Sequence, residues 1–269
     1  MSYLAEQDRQ QRITLLVILG LGSLMIWQAP FGALLLYPFT ILSTWFHEMG
    51  HGLSAILMGE RFDSLVIYPD GSGVAMSLVS PDRTALQDAI IAAGGPIGPA
   101  LAGAALIASS RTLKGTRIAL AVLGAALLLT TAIWVRSVTG WLVLPIAGIA
   151  ILAIARNANA DQQRFAIQLL GVQAVISVWA QSGYLFTQGG MLGGMPQVSD
   201  TGAISAALEQ PACERMQILR LQQHVAERVA RHDVKSRRNQ NKIRPAPIQS
   251  SIHGLPKVPR IGLGRSAPR

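Results

Sequence analysis

The chain has 269 residues, half of them apolar and only 14% charged, and its charges cluster outside the long apolar runs. That balance excludes an ordinary soluble domain and predicts an integral membrane protein. The net charge of +9 would suit a nucleic-acid binder, but nine of the basic residues lie in one tail, so no specific nucleic-acid partner is expected; the single cysteine, Cys213, excludes an internal disulfide and a thiolate cluster.

Residues 1–12 form a short segment carrying Arg9 and Arg12, and six apolar runs follow at 13–29, 31–59, 85–109, 116–135, 139–155 and 165–187. Each approaches or exceeds the roughly 20 residues needed to cross about 30 Å of hydrocarbon. The second run follows the first almost at once with no small-residue cleavage site between them, so the first is read as an anchor rather than a signal peptide. The expected fold is an all-α polytopic membrane protein with about six transmembrane helices and a small β-hairpin between helices 2 and 3.

The second run contains His47-Glu48-Met49-Gly50-His51. Residues four apart on a helix lie about 40° apart around its axis, so His47 and His51 offer two imidazoles to one ion. Neutral imidazoles suit Zn²⁺, and Glu48, the next residue round, can reach a water on that ion and take its proton. Five His and six Glu in a chain of this length would produce the spacing by accident only about 0.002 times. Three ionisable groups within five residues of a membrane segment are costly, and groups kept there at such cost are functional.

Between the second and third runs, 61–80 changes period around Pro69-Asp70-Gly71 and predicts the β-hairpin, either a ribbon capping the helices or an edge that pairs with an extended peptide. The third run holds Gly94-Gly95-Pro96-Ile97-Gly98-Pro99, which allows either close helix packing or a broken helix beside the site. After the sixth run, Gly189, Gly190, Gly193 and Gly194 predict a flexible approach to Ser199-Asp200, either of which could cap a helix running from Thr201 toward Pro211.

Residues 211–234 read as an amphipathic interfacial helix, with Ile218, Leu221, Val225 and Val229 on one face. Residues 235–269 hold nine Lys or Arg, no Asp or Glu and five prolines, the composition of a disordered basic tail whose simplest partner is an anionic lipid surface. Positive-inside reasoning puts this tail in the cytoplasm, and an even number of spans puts the N-terminus there as well. Arg111, Lys114 and Arg117 would then face the outer side, against the rule.

A hydrolytic zinc site needs three protein ligands and one open position. Without thiolates the third ligand is a carboxylate, and spacing alone does not choose it. Asp70 serves the hairpin turn, Asp161 lies in a polar loop, Asp200 has helix capping as its default role, and Glu209 and Glu214 would suit a different class of zinc peptidase.

Phe46-His47-Glu48-Met49-Gly50-His51-Gly52, the hairpin after it, the Gly94-Gly95-Pro96 helix and Ser199-Asp200 together resemble the site-2 protease family, in particular its compact bacterial branch. The resemblance covers most of 31–211 and implies that the membrane domain, 13–210, is a metallopeptidase of a bacterial inner membrane. It implies Zn²⁺ held by His47, His51 and Asp200, Glu48 as catalytic base, and hydrolysis of peptide bonds in or near transmembrane segments of membrane-protein substrates. Many members carry Asn-Pro and Asp-Gly around the late aspartate, where this chain has Ser199-Asp200-Thr201-Gly202. The alternatives are an inactive membrane scaffold of the same fold and a metal transporter; against the transporter, the other spans are nearly bare of polar residues.

Overall fold

The computed structural model describes residues 3–80, 82–180, 189–192 and 195–209. Among these described residues, seven helices and two small sheets follow in the order α1 (Tyr3–Gln28), α2 (Gly32–Leu57), β1 (Arg61–Ile67), β2 (Gly73–Leu78), α3 (Ala85–Ser109), α4 (Leu113–Ile133), α5 (Val138–Asn157), α6 (Ala160–Ala180), β3 (Gly189–Leu192), β4 (Met195–Val198) and α7 (Asp200–Glu209). The 211–234 helix and the basic tail expected from the sequence lie outside the described residues.

Short polar side chains mark the helix starts. Thr84 and Gln87 form a reciprocal capping box at α3, while Thr112 and Ser137 accept from Gly115 N and Gly140 N at the starts of α4 and α5. Each satisfies a backbone donor that the helix itself leaves unpaired, at a gain of about 1 kcal/mol.

Four described helices are long and apolar enough to cross a membrane: Arg9–Gln28 within α1, and α3, α4 and α5. The sequence led us to expect about six. The two remaining long helices, α2 and α6, match these in length but carry their polarity inward. In α6, Gln163, Gln168, Gln173 and Ser177 are buried. Gln163 Nε2 donates to the carbonyls of Ala155 and Ala158 at the end of α5, and Gln173 Nε2 donates to Ser23 Oγ of α1 at 3.0 Å. Buried amides with partners lower the mean hydropathy of a helix without exposing polarity to lipid.

In α2, nine consecutive residues from Ile41 to Met49 are buried, so the helix is enclosed on every side there, as befits the centre of a bundle. Leu34, Leu35, Leu53 and Leu57 toward its ends are exposed, and so are large apolar residues on the outward sides of α3, α4 and α5, an outer surface suited to lipid. Trp45 ties α2 to α4 through Nε1, which donates to Thr130 Oγ1 at 3.0 Å.

Glycine pairs close the seams between helices. A methyl group on Gly50 would strike the Gly94 carbonyl, and one on Gly98 would strike that of Phe46, so α2 and α3 meet backbone to backbone. Gly124 with Gly148 does the same for α4 and α5, and Gly103 with Gly171 for α3 and α6. In lipid, where apolar side chains gain nothing by leaving the solvent, close packing of this kind drives association. The third run is therefore a continuous helix with Pro96 and Pro99 inside it, and its glycines serve packing rather than a break.

The hairpin forms as expected within 61–80, with β1 and β2 antiparallel and Leu65 opposite Ala75. Its tip includes Gly71 at φ +89°, a left-handed conformation that favours glycine. Asp70 Oδ1 accepts from Ser72 N and Ser72 Oγ, which holds the exposed carboxyl below its usual range. A parallel bridge from Leu65 to Val135 adds residues 134–136 to the far side of β1. The second hairpin, β3 with β4, was not expected: glycines read as flexible supply half of β3, and Gly189 pairs with Val198.

Candidate metal centre

His47, Glu48 and His51 come from the enclosed part of α2, and Asp200 arrives at the first position of α7, which packs on α3. Ser199, fully buried, accepts from Gly202 N at 3.1 Å and so takes the capping position of α7. That leaves the Asp200 carboxylate free of the capping role the sequence first suggests for it. Asp200 Oδ2 lies 3.0 Å from His47 Nε2, Asp200 Oδ1 lies 3.2 Å from His51 Nε2, and the two Nε2 atoms are 3.2 Å apart. One ligand atom from each of the three residues falls within 4.8 Å of the others, the group of this kind found among the described residues.

The donor set fits a metal ion. His51 Nδ1 is 2.9 Å from the Ile91 carbonyl, which can only accept, so Nδ1 carries the proton and the Nε2 lone pair of the neutral ring points at the shared centre. Asp200 Oδ2, which converges with the two Nε2 atoms, is buried with no hydrogen-bond partner among the described residues, the 3.0 Å approach to His47 falling outside hydrogen-bond geometry. Converging lone pairs left unsatisfied cost about 1–3 kcal/mol each, and a cation removes that cost. A tetrahedron with ligand bonds of about 2.0–2.1 Å has edges near 3.3 Å, close to the three separations observed.

Two backbones shape the surroundings. Gly95 of α3 lies against both imidazoles: a methyl group there would collide with His51 Nε2 and His47 Nε2. Gly95→Ala is therefore expected to take zinc below one per chain, by metal analysis of purified protein, with helix content by circular dichroism unchanged. Full zinc retention would mean that α3 yields instead. On the other side, a methyl group on Gly73 of β2 would strike Glu48 Cγ, Glu48 Oε1 and Thr44 Cγ2.

The register explains which part of the hairpin faces Glu48. Leu65 donates its N–H to the Trp134 carbonyl and accepts at its own carbonyl from Arg136 N, so both of its backbone groups point away from β2. Ala75, opposite Leu65, is then in a non-hydrogen-bonded pair and turns its own N–H and C=O to the outer edge of β2. There the Ala75 amide interacts with the Glu48 carboxylate, which lies beside His47, His51 and Asp200.

Asp70 is spent on the hairpin tip and Asp161 is exposed in the first turn of α6. Glu209 stands at the far end of α7 from Asp200, and Glu214 lies outside the described residues. Gly95, Ile91 and Gly73 were missed as site residues. The glycines had a signal in their small-residue clusters; a carbonyl acceptor such as Ile91 leaves none.

Fold and site together define a membrane protein built around a candidate centre of two histidines and one carboxylate. A family model described as Peptidase M50B-like matches residues 13–217, and the chain belongs to that family, the site-2 protease family of membrane metallopeptidases. Peptidases of the M50 family are zinc-dependent. No curated protein and no solved structure matches the chain.

Proposed function

We propose that this chain is an intramembrane zinc metalloendopeptidase that hydrolyses peptide bonds in or near the transmembrane segments of membrane-protein substrates. One observation carries the reading: His47, His51 and Asp200 converge within ligand distance of one another beside a buried glutamate, inside a bundle whose outer surface suits lipid. His47 Nε2, His51 Nε2 and the Asp200 carboxylate are the metal ligands, and Glu48 is the base. Zinc, when bound, lowers the pKa of water to about 7 and polarises a carbonyl. Glu48 takes the proton from the attacking water and delivers it to the leaving amine, which makes the amine a competent leaving group. The Ile91 carbonyl holds His51 in the ligating tautomer.

The enclosure of the site in α2 restricts it to substrate segments that approach through the membrane. A helical segment hides its peptide bonds within its own hydrogen-bond ladder, so it must unwind to be cut. The outer edge of β2 beyond Ala75 offers backbone partners for the unwound stretch. The six-span count belongs to this reading, with α2 and α6 crossing as inner helices. So do a bacterial inner-membrane location, both termini in the cytoplasm and the basic tail on anionic lipid.

Cleavage of a transmembrane peptide by detergent-solubilised protein tests it. Chelation should abolish cleavage and added zinc should restore it; cleavage that survives metal removal would overturn the proposal.

A further inference from the structure

Tyr37, Thr40, Thr44 and Glu48 follow one another at spacings of three and four and so share one stripe of α2. The hairpin tip and the start of β2 lie along that stripe. Tyr37 Oη donates to the Pro69 carbonyl at 2.9 Å, and Gly71 faces Thr40 Cγ2. Thr44 Oγ1 donates to the Gly71 carbonyl at 2.5 Å. Gly73 fits only without a side chain against Thr44 and Glu48, and the Ala75 amide reaches the Glu48 carboxylate. From Pro69 to Ala75 the hairpin tip and the first residues of β2 thus follow the stripe from Tyr37 to Glu48.

The last contact in this series is with the proposed base. We propose that Thr44 is a positioning residue for Glu48: by holding the Gly71 carbonyl it fixes the hairpin where the backbone of Gly73 and Ala75 confines the Glu48 carboxylate on the side of the two histidines and Asp200. The inference rests on the reading of Glu48 as the base. Thr44 touches neither substrate nor metal ligand in this role; it acts through the hairpin. A carboxylate with several side-chain torsions works as a base only within hydrogen-bond reach of the proton it takes, and a misplacement of about 1 Å costs on the order of 100-fold in rate. Tyr37 anchors the tip at Pro69 and supports the same placement.

The test compares Thr44→Val, which keeps the shape and removes the hydroxyl, with Thr44→Ser, which keeps the hydroxyl. Thr44→Val is expected to retain one zinc per chain and an unchanged KM while kcat falls about 10–100-fold, and Thr44→Ser to restore kcat. Loss of zinc in Thr44→Val would reduce the hydroxyl to a brace of the fold and overturn the proposal. So would a raised KM at unchanged kcat, which would assign it to the substrate edge, and so would full activity.

A second arm needs no turnover. In protein loaded with Co²⁺, the visible absorption spectrum reports the surroundings of the metal, and Thr44→Val should shift it in the same direction as Glu48→Gln. If neither wild type nor variant cleaves any peptide but the two shifts agree, the peptidase reading fails and the positioning role stands. If Glu48→Gln shifts the spectrum and Thr44→Val leaves it at wild type, the positioning role fails whatever the activity.

Discussion

Glu48→Gln is expected to bind zinc at the wild-type stoichiometry and to lose about 10²–10⁴-fold in kcat, the usual contribution of a positioned general base. The amide has nearly the shape of the carboxylate, so it can occupy the space that Gly73 leaves and still meet the Ala75 amide through its oxygen. What it loses is the ability to accept a proton from water and return it to the amine. The three proposed ligands do not include Glu48, so metal content separates loss of the base from loss of the site. Single-turnover cleavage of a transmembrane peptide, read beside zinc analysis of the same preparation, checks this. Normal cleavage by the variant would remove Glu48 from the mechanism, and loss of zinc would make it a ligand.

Asp200→Ala is expected to abolish stoichiometric zinc binding, or to weaken it by more than the roughly 10–100-fold cost of removing a hydrogen-bond partner from a ligand. His47→Ala serves as the control for loss. The Asp200 oxygens lie 3.0 and 3.2 Å from the two Nε2 atoms, and Ser199 rather than Asp200 caps α7, so the variant removes a proposed ligand without removing the cap. A folded Asp200→Ala variant that keeps one zinc per chain would move the third ligand elsewhere, and inductively coupled plasma analysis against protein concentration decides it.

Much of this architecture was legible in the chain, for reasons that differ between elements. The apolar runs set α3, α4 and α5 because length and composition are local properties. The hairpin was visible because Pro69-Asp70-Gly71 interrupts two short runs of strand formers, and Gly71 does adopt the left-handed conformation. His47, Glu48 and His51 were visible because one helix fixes all three. The β3–β4 hairpin was missed because its pairing is carried by backbone groups, which glycine supplies without any side-chain pattern. The runs at 31–59 and 165–187 were read as spans from their length, but composition does not give the direction of their polar residues, which in α6 turn inward toward Ser23 and the end of α5.

Asp200 marks the limit of local reading. Several carboxylates had competing local roles, and only the packing of α7 on α3 brings this one to the histidines. The same holds for the contacts of Gly95 and Gly73, where the absence of a side chain matters because of what lies opposite. By itself, the sequence determined the membrane class and the two-histidine helix with its glutamate, because these follow from hydrophobic length and from the 3.6-residue period. Only the tertiary structure decided which carboxylate faces the histidines, which residue caps α7 and which edge of the hairpin meets Glu48, because those depend on contacts between segments far apart in the chain.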